Sequence, residues 1–542
     1  MCVGKKNPFA RLDLAVRFCA LRAWQRGALL GAVSLCLLLP GARLAFWDRD
    51  EAVYAEVARE MVRSADYVTP RLFGEPFAEK PPLAMWCTAL AFRLFGESEI
   101  AGRLPHLLFA AGSIVLMVPL GDRLLGRRSG HLAAFVLANS LFFLVSCRLL
   151  LTDSSLLFFA VATIAALVRA LDGGASGWSA VAGAALGLAV LAKGPVALLA
   201  PVLFCAGHFA ARPQGFRFRS ALSLVARVLA VAAAVSLPWF VLVAHRSSGE
   251  LARSFLLEEN LARFLHPMEG HRGPAFYYLV VLAVGLFPWT GLLVSGLVCA
   301  WKGGRRAEAW AVAAWAFGTL AIFSLSATKL PHYLLPALPA FALLAVAAEG
   351  AVVDRIGAFR LFVWTQAATG VALLLAAGFA VRLWGISGAV VIPFAIVAGL
   401  GLALPLLTSR RLALGIAALL PVLLATCVPP LLDPARCLPE LGRRAGALRR
   451  GQETFGELGI HEPALGYYAD VEHFERWKKA ADVERAVASS PTRSILVCLA
   501  EDDARRLAGD ERLQIELLAR RRSLIDSARG WLLLYRVAAR RE

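Results

Sequence analysis

Residues 46–86 read FWDRDEAVYAEVAREMVRSADYVTPRLFGEPFAEKPPLAMW and follow directly on the first apolar run of the chain. This stretch sets Asp50, Glu51, Glu79 and Lys80 beside hydrocarbon-compatible sequence, in a chain otherwise dominated by Leu, Ala and Val. Charges so close to a bilayer are costly unless they are paired or face a water-filled cavity, so they mark a candidate site. Pro81 and Pro82 disfavour helix at Lys80 and hold Glu79 and Lys80 where the loop meets the membrane.

The composition around that stretch points the same way. Of 542 residues, 58% are hydrophobic and 18% charged, whereas a soluble domain is nearer half apolar and about a quarter charged. A polytopic membrane protein follows. The formal charge of +18 sits at the ends of apolar runs, where basic residues set topology and meet anionic head groups. No basic helix interleaved with aromatics argues for nucleic-acid binding.

A bilayer span takes about 20 apolar residues. Thirteen runs qualify: 28–44, 104–121, 131–147, 155–171, 178–192, 194–211, 221–244, 276–300, 308–326, 332–349, 361–383, 388–407 and 412–432. The first follows Arg17, Arg22 and Arg26 and reads as a retained span, not a cleaved signal. A further run, 83–95, is short, and charge decides whether it crosses. If it does not, Arg123, Arg127 and Arg128, then Arg212, Arg217 and Arg219, then Lys302, Arg305 and Arg306, then Arg410 and Arg411 all fall inside, as positively charged loops should. The run is therefore expected to lie on the surface, with Trp86 as an interfacial anchor.

The fold class expected is thus an α-helical polytopic membrane protein of thirteen spans with a small C-terminal α/β soluble domain. Residues 1–432 form the membrane part, with a first external loop over 45–103, and 433–542 the external domain. In the latter, 494–499 and 531–537 read as buried strands, and 472–487 and 502–518 show helical periodicity. This parity puts the loop after Ala45, Arg148 to Asp153, Lys193, residues 245–275 and Lys329 to Tyr333 on one face. No internal repeat is visible.

Each candidate has an ordinary alternative. Asp50 and Asp153 stand where helices begin and could serve only as capping residues. Glu79 beside Lys80 could be a solvated couple worth little, and Lys193 a snorkelling lysine. Tyr333 fits an aromatic belt. His266 and His271, five apart, lack the spacing of a helical metal pair. A single divalent cation held by Glu79 and His266 remains an open alternative, and no cofactor is otherwise indicated. The ten cysteines contain no CxxC pair. Cys437 and Cys498 could pair if the tail is extracytoplasmic.

Taken together, FWDRDEAVYAEVAREM (46–61), YVTPRLFGEPFAEKPPL (67–83), LLTDSS (150–155), LAKGP (191–195), ENLARFLHP (259–267) and TKLPHYLLPALP (328–339) resemble the membrane glycosyltransferases of the C superfamily. The likeness is greatest to the bacterial lipid A aminoarabinose transferases, relatives of protein O-mannosyltransferases. The resemblance implies inverting transfer of a sugar from a polyprenyl (undecaprenyl) phosphate donor to lipid A or a related glycan or protein acceptor, on the periplasmic face of the inner membrane. With lipid A as acceptor, a cationic sugar would mask phosphate charge and protect against polymyxin.

The leaving phosphate needs fixed cations and donors. Lys80, Lys193, Arg263, Lys329 and Tyr333 are the available set, with Asp50 first and Asp153 second as the carboxylate that orients or deprotonates the acceptor. Glu51, Glu79 and His266 complete the expected binding set. A transferase of another sugar, such as mannose onto protein, is the alternative. A secondary transporter is disfavoured, because its charges would gather near the midplane of repeated halves.

Overall fold

The computed structural model describes residues 21–47, 49–126, 129–173, 177–212, 218–267, 271–302, 306–347, 356–384, 388–404, 409–510, 512–523 and 530–540. Arg17, Arg127, Arg128, Arg217 and Arg305 of the topology argument lie outside them.

Among these residues, seven helices are long and apolar enough to cross a membrane: Glu99–Leu125, Thr152–Leu171, Gly177–Ala210, Phe218–Arg246, Ala307–Leu325, Phe359–Leu383 and Leu412–Leu432. The pair Tyr277–Gly285 and Thr290–Leu297, bent by 107°, raises the total to eight if it is one span. Thirteen full spans are therefore not observed. Five further apolar helices are only 10–17 residues long, among them Ala23–Leu38, Ser129–Ala138, Pro331–Val346 and Gly388–Ala403. A run counted by hydropathy need not be one span: Asn139 and Ser140 break the run 131–147 into two short helices, while 178–192 and 194–211 join across Gly194 into the single span Gly177–Ala210. The two halves of Gly177–Ala210 pack on different neighbours. Gly183 and Gly187 lie against Val231 and Val235, and Gly207 against Ala311 and Ala314. Leu338–Val346 is buried along its whole length, an apolar helix enclosed by protein on every side.

The first loop folds onto this bundle. Arg49–Ser64 is an amphipathic helix that buries Val53, Val57, Ala58 and Met61. A two-stranded hairpin follows, β1 (Arg71–Leu72) and β2 (Glu75–Pro76). The helix Leu83–Phe95 has 13 residues, about 20 Å and too short to span. Trp86 is not a free interfacial anchor: its Nε1 donates to Tyr67 O at 2.7 Å and ties the helix to its own loop.

The tail carries a five-stranded sheet in the order β4-β3-β5-β7-β6, with β3 Thr454–Leu458, β4 Phe474–Trp477, β5 Ser494–Ala500, β6 Leu513–Ser523 and β7 Gly530–Ala539. β3 runs parallel to β4 and β5, while β7 is antiparallel to both β5 and β6. The helical reading of 472–487 and 502–518 needs correction. Helices occupy only Ala480–Ser489 and Glu501–Ala508, because ladder pairing claims Phe474–Trp477 and Leu513–Ser523. Cys437 and Cys498 are buried and are not joined in a disulfide.

The sheet domain grips the first loop. Phe46 N–H donates to the Tyr468 hydroxyl at 2.8 Å, and Arg436 donates to the carbonyls of Ala45 and Phe46. Asp470 pairs with Arg59 at 3.1 Å and Arg63 at 2.8 Å. Phe73, at the hairpin turn, stacks 5.2 Å from Phe474. Gly466 makes that approach possible, since a Cβ there would lie 2.6 Å from the Phe73 ring. Gly466→Val should therefore push the hairpin off the sheet. Limited proteolysis between 433 and 453 should then cut the variant about tenfold faster than wild type, as roughly 1–3 kcal/mol of overpacking weakens the contact.

Candidate active site

Polar residues from six separate stretches of the chain line one cavity of about 620 Å³. Asp50 and Tyr54, one helical turn apart, face it from the first-loop helix, and Glu79 and Lys80 from the turn after the hairpin. Asp153 reaches it from the first turn of Thr152–Leu171 and Lys193 from the end of Gly177–Lys193. Glu259, Arg263, His332 and Tyr333 close it. The other wall is apolar, with Leu199, Val202, Ile322 and Phe323. Ionic groups and hydrocarbon lining one cavity make it complementary to an amphiphile.

Backbone geometry places these groups. Gly194 has φ +80° and ends the Lys193 helix, and a Cβ there would meet the Phe255 ring at 2.4 Å. Lys193 Nζ lies 2.6 Å from Asp153 Oδ1, with the two side chains 11% and 4% exposed. The same ammonium stands 5.3 Å from the centre of the Tyr333 ring. Arg263 donates to the Tyr333 hydroxyl and sits 2.9 Å from Glu259, and Lys80 approaches the same Glu259 oxygen at 3.6 Å. Lys80 Nζ also donates to the carbonyl of Glu79 at 3.0 Å. Glu258 and Glu259 fall on a π-helical turn, Ser254–Ala262. Such turns re-aim side chains within a helix.

Three expected site residues stand elsewhere. Glu51 is fully buried, outside the cavity lining, and accepts Arg103 Nε at 2.7 Å, Leu150 N at 2.7 Å and Trp47 N at 2.6 Å. Period 3.6 turns it away from Asp50, toward the bundle. Lys329 caps the end of the preceding span, donating to Ser324 O at 2.8 Å and Ser326 O at 2.9 Å. Cation-free carbonyls at a helix C-terminus attract such a group. His266 has an exposed side chain and contributes its carbonyl, which accepts Thr328 Oγ1 at 3.1 Å. Glu79 lines the cavity without His266, and among the described residues no three His, Cys, Asp or Glu side chains assemble as metal ligands. Arg148 joins helices instead of the site, donating to Leu37 O and Ala425 O.

Glu259, His332 and Tyr54 were not singled out from sequence. The doublet Glu258-Glu259 and the His in Pro331-His332-Tyr333 were visible signals, but only packing chooses which member of each faces inward.

Comparison with known proteins places the molecule in a class. The fold is similar to that of ArnT from Cupriavidus metallidurans, solved bound to undecaprenyl phosphate, with a TM-score of 0.75 at 22% identity over 94% of this chain and 97% of that one. An archaeal oligosaccharyltransferase, AglB from Archaeoglobus fulgidus, aligns with a TM-score of 0.54 at 13% identity over 88% and 69%. A family profile described as dolichyl-phosphate-mannose-protein mannosyltransferase matches residues 79–241. The chain shares the fold of these two structures, and its long apolar helices make it an integral membrane protein.

In sequence, the undecaprenyl phosphate-α-4-amino-4-deoxy-L-arabinose arabinosyl transferase of Pseudomonas aeruginosa PAO1 is 34% identical over 323 residues, 58% of each chain. That of Edwardsiella ictaluri is 30% identical over 379 residues, 68% of this chain and 67% of the other. The chain belongs to this transferase family. It spans 58% of the length of the Pseudomonas aeruginosa relatives.

Proposed function

We propose that the protein transfers 4-amino-4-deoxy-L-arabinose from undecaprenyl phosphate to a phosphate of lipid A, on the periplasmic face of the inner membrane. The sheet domain of 433–542 then lies in the periplasm beside the site. The observation that carries this reading is the continuity of an apolar slot with Lys80, Lys193 and Arg263 in one cavity. That is the shape and charge order of a prenyl-linked phosphate, and the family supplies the sugar.

In the reaction, the bond between the anomeric carbon and the bridging phosphate oxygen breaks. Its electron pair stays on that oxygen. The acceptor oxygen attacks the opposite face of the sugar, inverting the centre. Fixed cations at the leaving phosphate stabilise charge that grows as the bond lengthens. Lys80, Lys193, Arg263 and the Tyr333 hydroxyl form this set. Asp50 orients the acceptor or the sugar, and takes a proton only if the acceptor is a hydroxyl, since a phosphate dianion attacks without a base. Asp153 holds Lys193 in place. Glu51 and Lys329 act from outside the cavity, as structural groups.

The test is mass spectrometry of lipid A from cells carrying the gene, its deletion, or Asp50→Ala. Wild type should add the mass of an aminopentose to lipid A and raise polymyxin resistance. Asp50→Ala should insert normally yet lose at least a hundredfold in transfer, in the range of an acid–base or orienting group. A hexose on protein instead of an aminopentose on lipid A would establish the mannosyltransferase alternative, which the family profile over 79–241 favours.

A further inference from the structure

Lys80 and Arg263 come from chain segments almost two hundred residues apart, yet they converge on one oxygen, Glu259 Oε2, at 3.6 and 2.9 Å. Glu259 is only 12% exposed, and its two partners 16% and 13%. Such a triad is desolvated enough for its pairing to matter, unlike an exposed surface couple. All three line the cavity. Among the described residues of that lining, the carboxylates of Asp50, Glu79, Asp153 and Glu259 outnumber the cations of Lys80, Lys193 and Arg263.

The chemistry of the proposed reaction makes this arrangement informative. The donor is a phosphodiester carrying one negative charge. When the anomeric C–O bond breaks and the electron pair stays with the phosphate, the product is a monoester carrying close to two. Fixed cations that stabilise the leaving phosphate therefore hold the product more tightly than the donor. Without a counterweight, release would limit turnover.

We infer that Glu259 is this counterweight, an internal carboxylate that competes with the prenyl phosphate for Lys80 and Arg263 and so sets product release. The inference rests on the donor-phosphate reading of the site. Glu259 is a positioning residue: it touches the cations, not the reacting atoms. Glu259 lies on a π-helical turn whose Phe255 packs on Gly194, and Arg263 begins the helical turn that follows, so the carboxylate and the guanidinium reach the cavity from adjoining turns. An ordinary i, i+4 helical pair between Glu259 and Arg263 would act the other way. It would order Arg263 for the phosphate, and its loss would weaken binding.

The two readings differ in sign, which the full-length protein in lipid nanodiscs can decide. Binding of undecaprenyl phosphate is measured for wild type and Glu259→Gln, together with donor KM, kcat and product inhibition. Glu259→Gln should bind the product roughly fivefold tighter, the scale of one partly buried ion pair. Its product inhibition constant should fall in step, and kcat should drop while donor KM does not rise. Glu259→Ala should shift binding in the same direction, which guards against an amide making new contacts. Product binding that is unchanged or weaker, in variants with wild-type thermal stability, overturns the inference and leaves the function intact. Absence of undecaprenyl phosphate binding by wild type itself overturns the reading of the site, and the inference with it.

Discussion

Asp153→Ala and Lys193→Ala should each lower sugar transfer by about a thousandfold, and the double variant should lose little more than either single one. The magnitude follows from removing a fixed positive charge beside the breaking bond, which costs roughly 10²–10³ in rate where a single donor has been deleted from such a site. The non-additivity follows from geometry. Asp153 and Lys193 are 2.6 Å apart and almost completely enclosed. Removing either leaves the other as an unpaired buried charge, so each single variant already destroys the unit. If the losses multiply in the double variant, the two residues act independently and Asp153 has a direct role on substrate. Single-turnover transfer with purified donor separates these outcomes, because slow product release does not mask the chemical step.

The second large effect concerns a pair that never touches the cavity. Glu51→Gln or Arg103→Met should cost about 3–5 kcal/mol, the penalty for leaving one member of a buried ion pair uncompensated. Glu51 holds Arg103 Nε and Nη2 at 2.7 and 2.8 Å. Arg103 in turn donates to the carbonyls of Ala42 at 3.0 Å and Leu44 at 2.5 Å. Because Glu51 also accepts from Leu150 N, the pair sets Asp50 and the segment leading to Asp153 in one frame. Loss of folded protein in detergent, read by size-exclusion fluorescence, should accompany loss of activity.

The same pair predicts a pH dependence. Burial pushes the Glu51 carboxyl up, but Arg103 and the two backbone donors outweigh it and hold the group below its ordinary 4.5. A carboxyl depressed in the folded protein contributes stability above its unfolded value and loses that contribution as the pH falls through the folded one. Thermal stability should therefore fall on acidification below about 4.5, and Glu51→Gln should flatten that limb.

Much of the site could be read from local chemistry. Charges beside apolar runs are costly enough to be informative, and Asp50, Lys80, Asp153, Lys193, Arg263 and Tyr333, singled out on that ground or by resemblance, line one cavity. The residues that stand outside the cavity do so for a common reason. Asp50 and Glu51 are equivalent in a one-dimensional reading, yet a helix turns them about 100° apart, so one meets the cavity and the other Arg103. Lys329 carries the same charge as Lys193, but three carbonyls at and just past a helix end, those of Phe323, Ser324 and Ser326, lie within its reach. In the tail, the helical periodicity read over 502–518 gives way from Leu513 onward to pairing with β7, as ladder context commonly does to weak periodicity.

The amino-acid sequence by itself determined that the chain carries membrane-spanning apolar helices and which ionic residues stand beside them. Those properties depend on transfer free energies that accumulate residue by residue. Tertiary structure alone decided how many apolar runs become continuous helices, which carboxylate of each doublet is used, and that Glu259 bridges Lys80 to Arg263. Those properties depend on the direction of single side chains and on contacts between segments hundreds of residues apart, which no local pattern encodes.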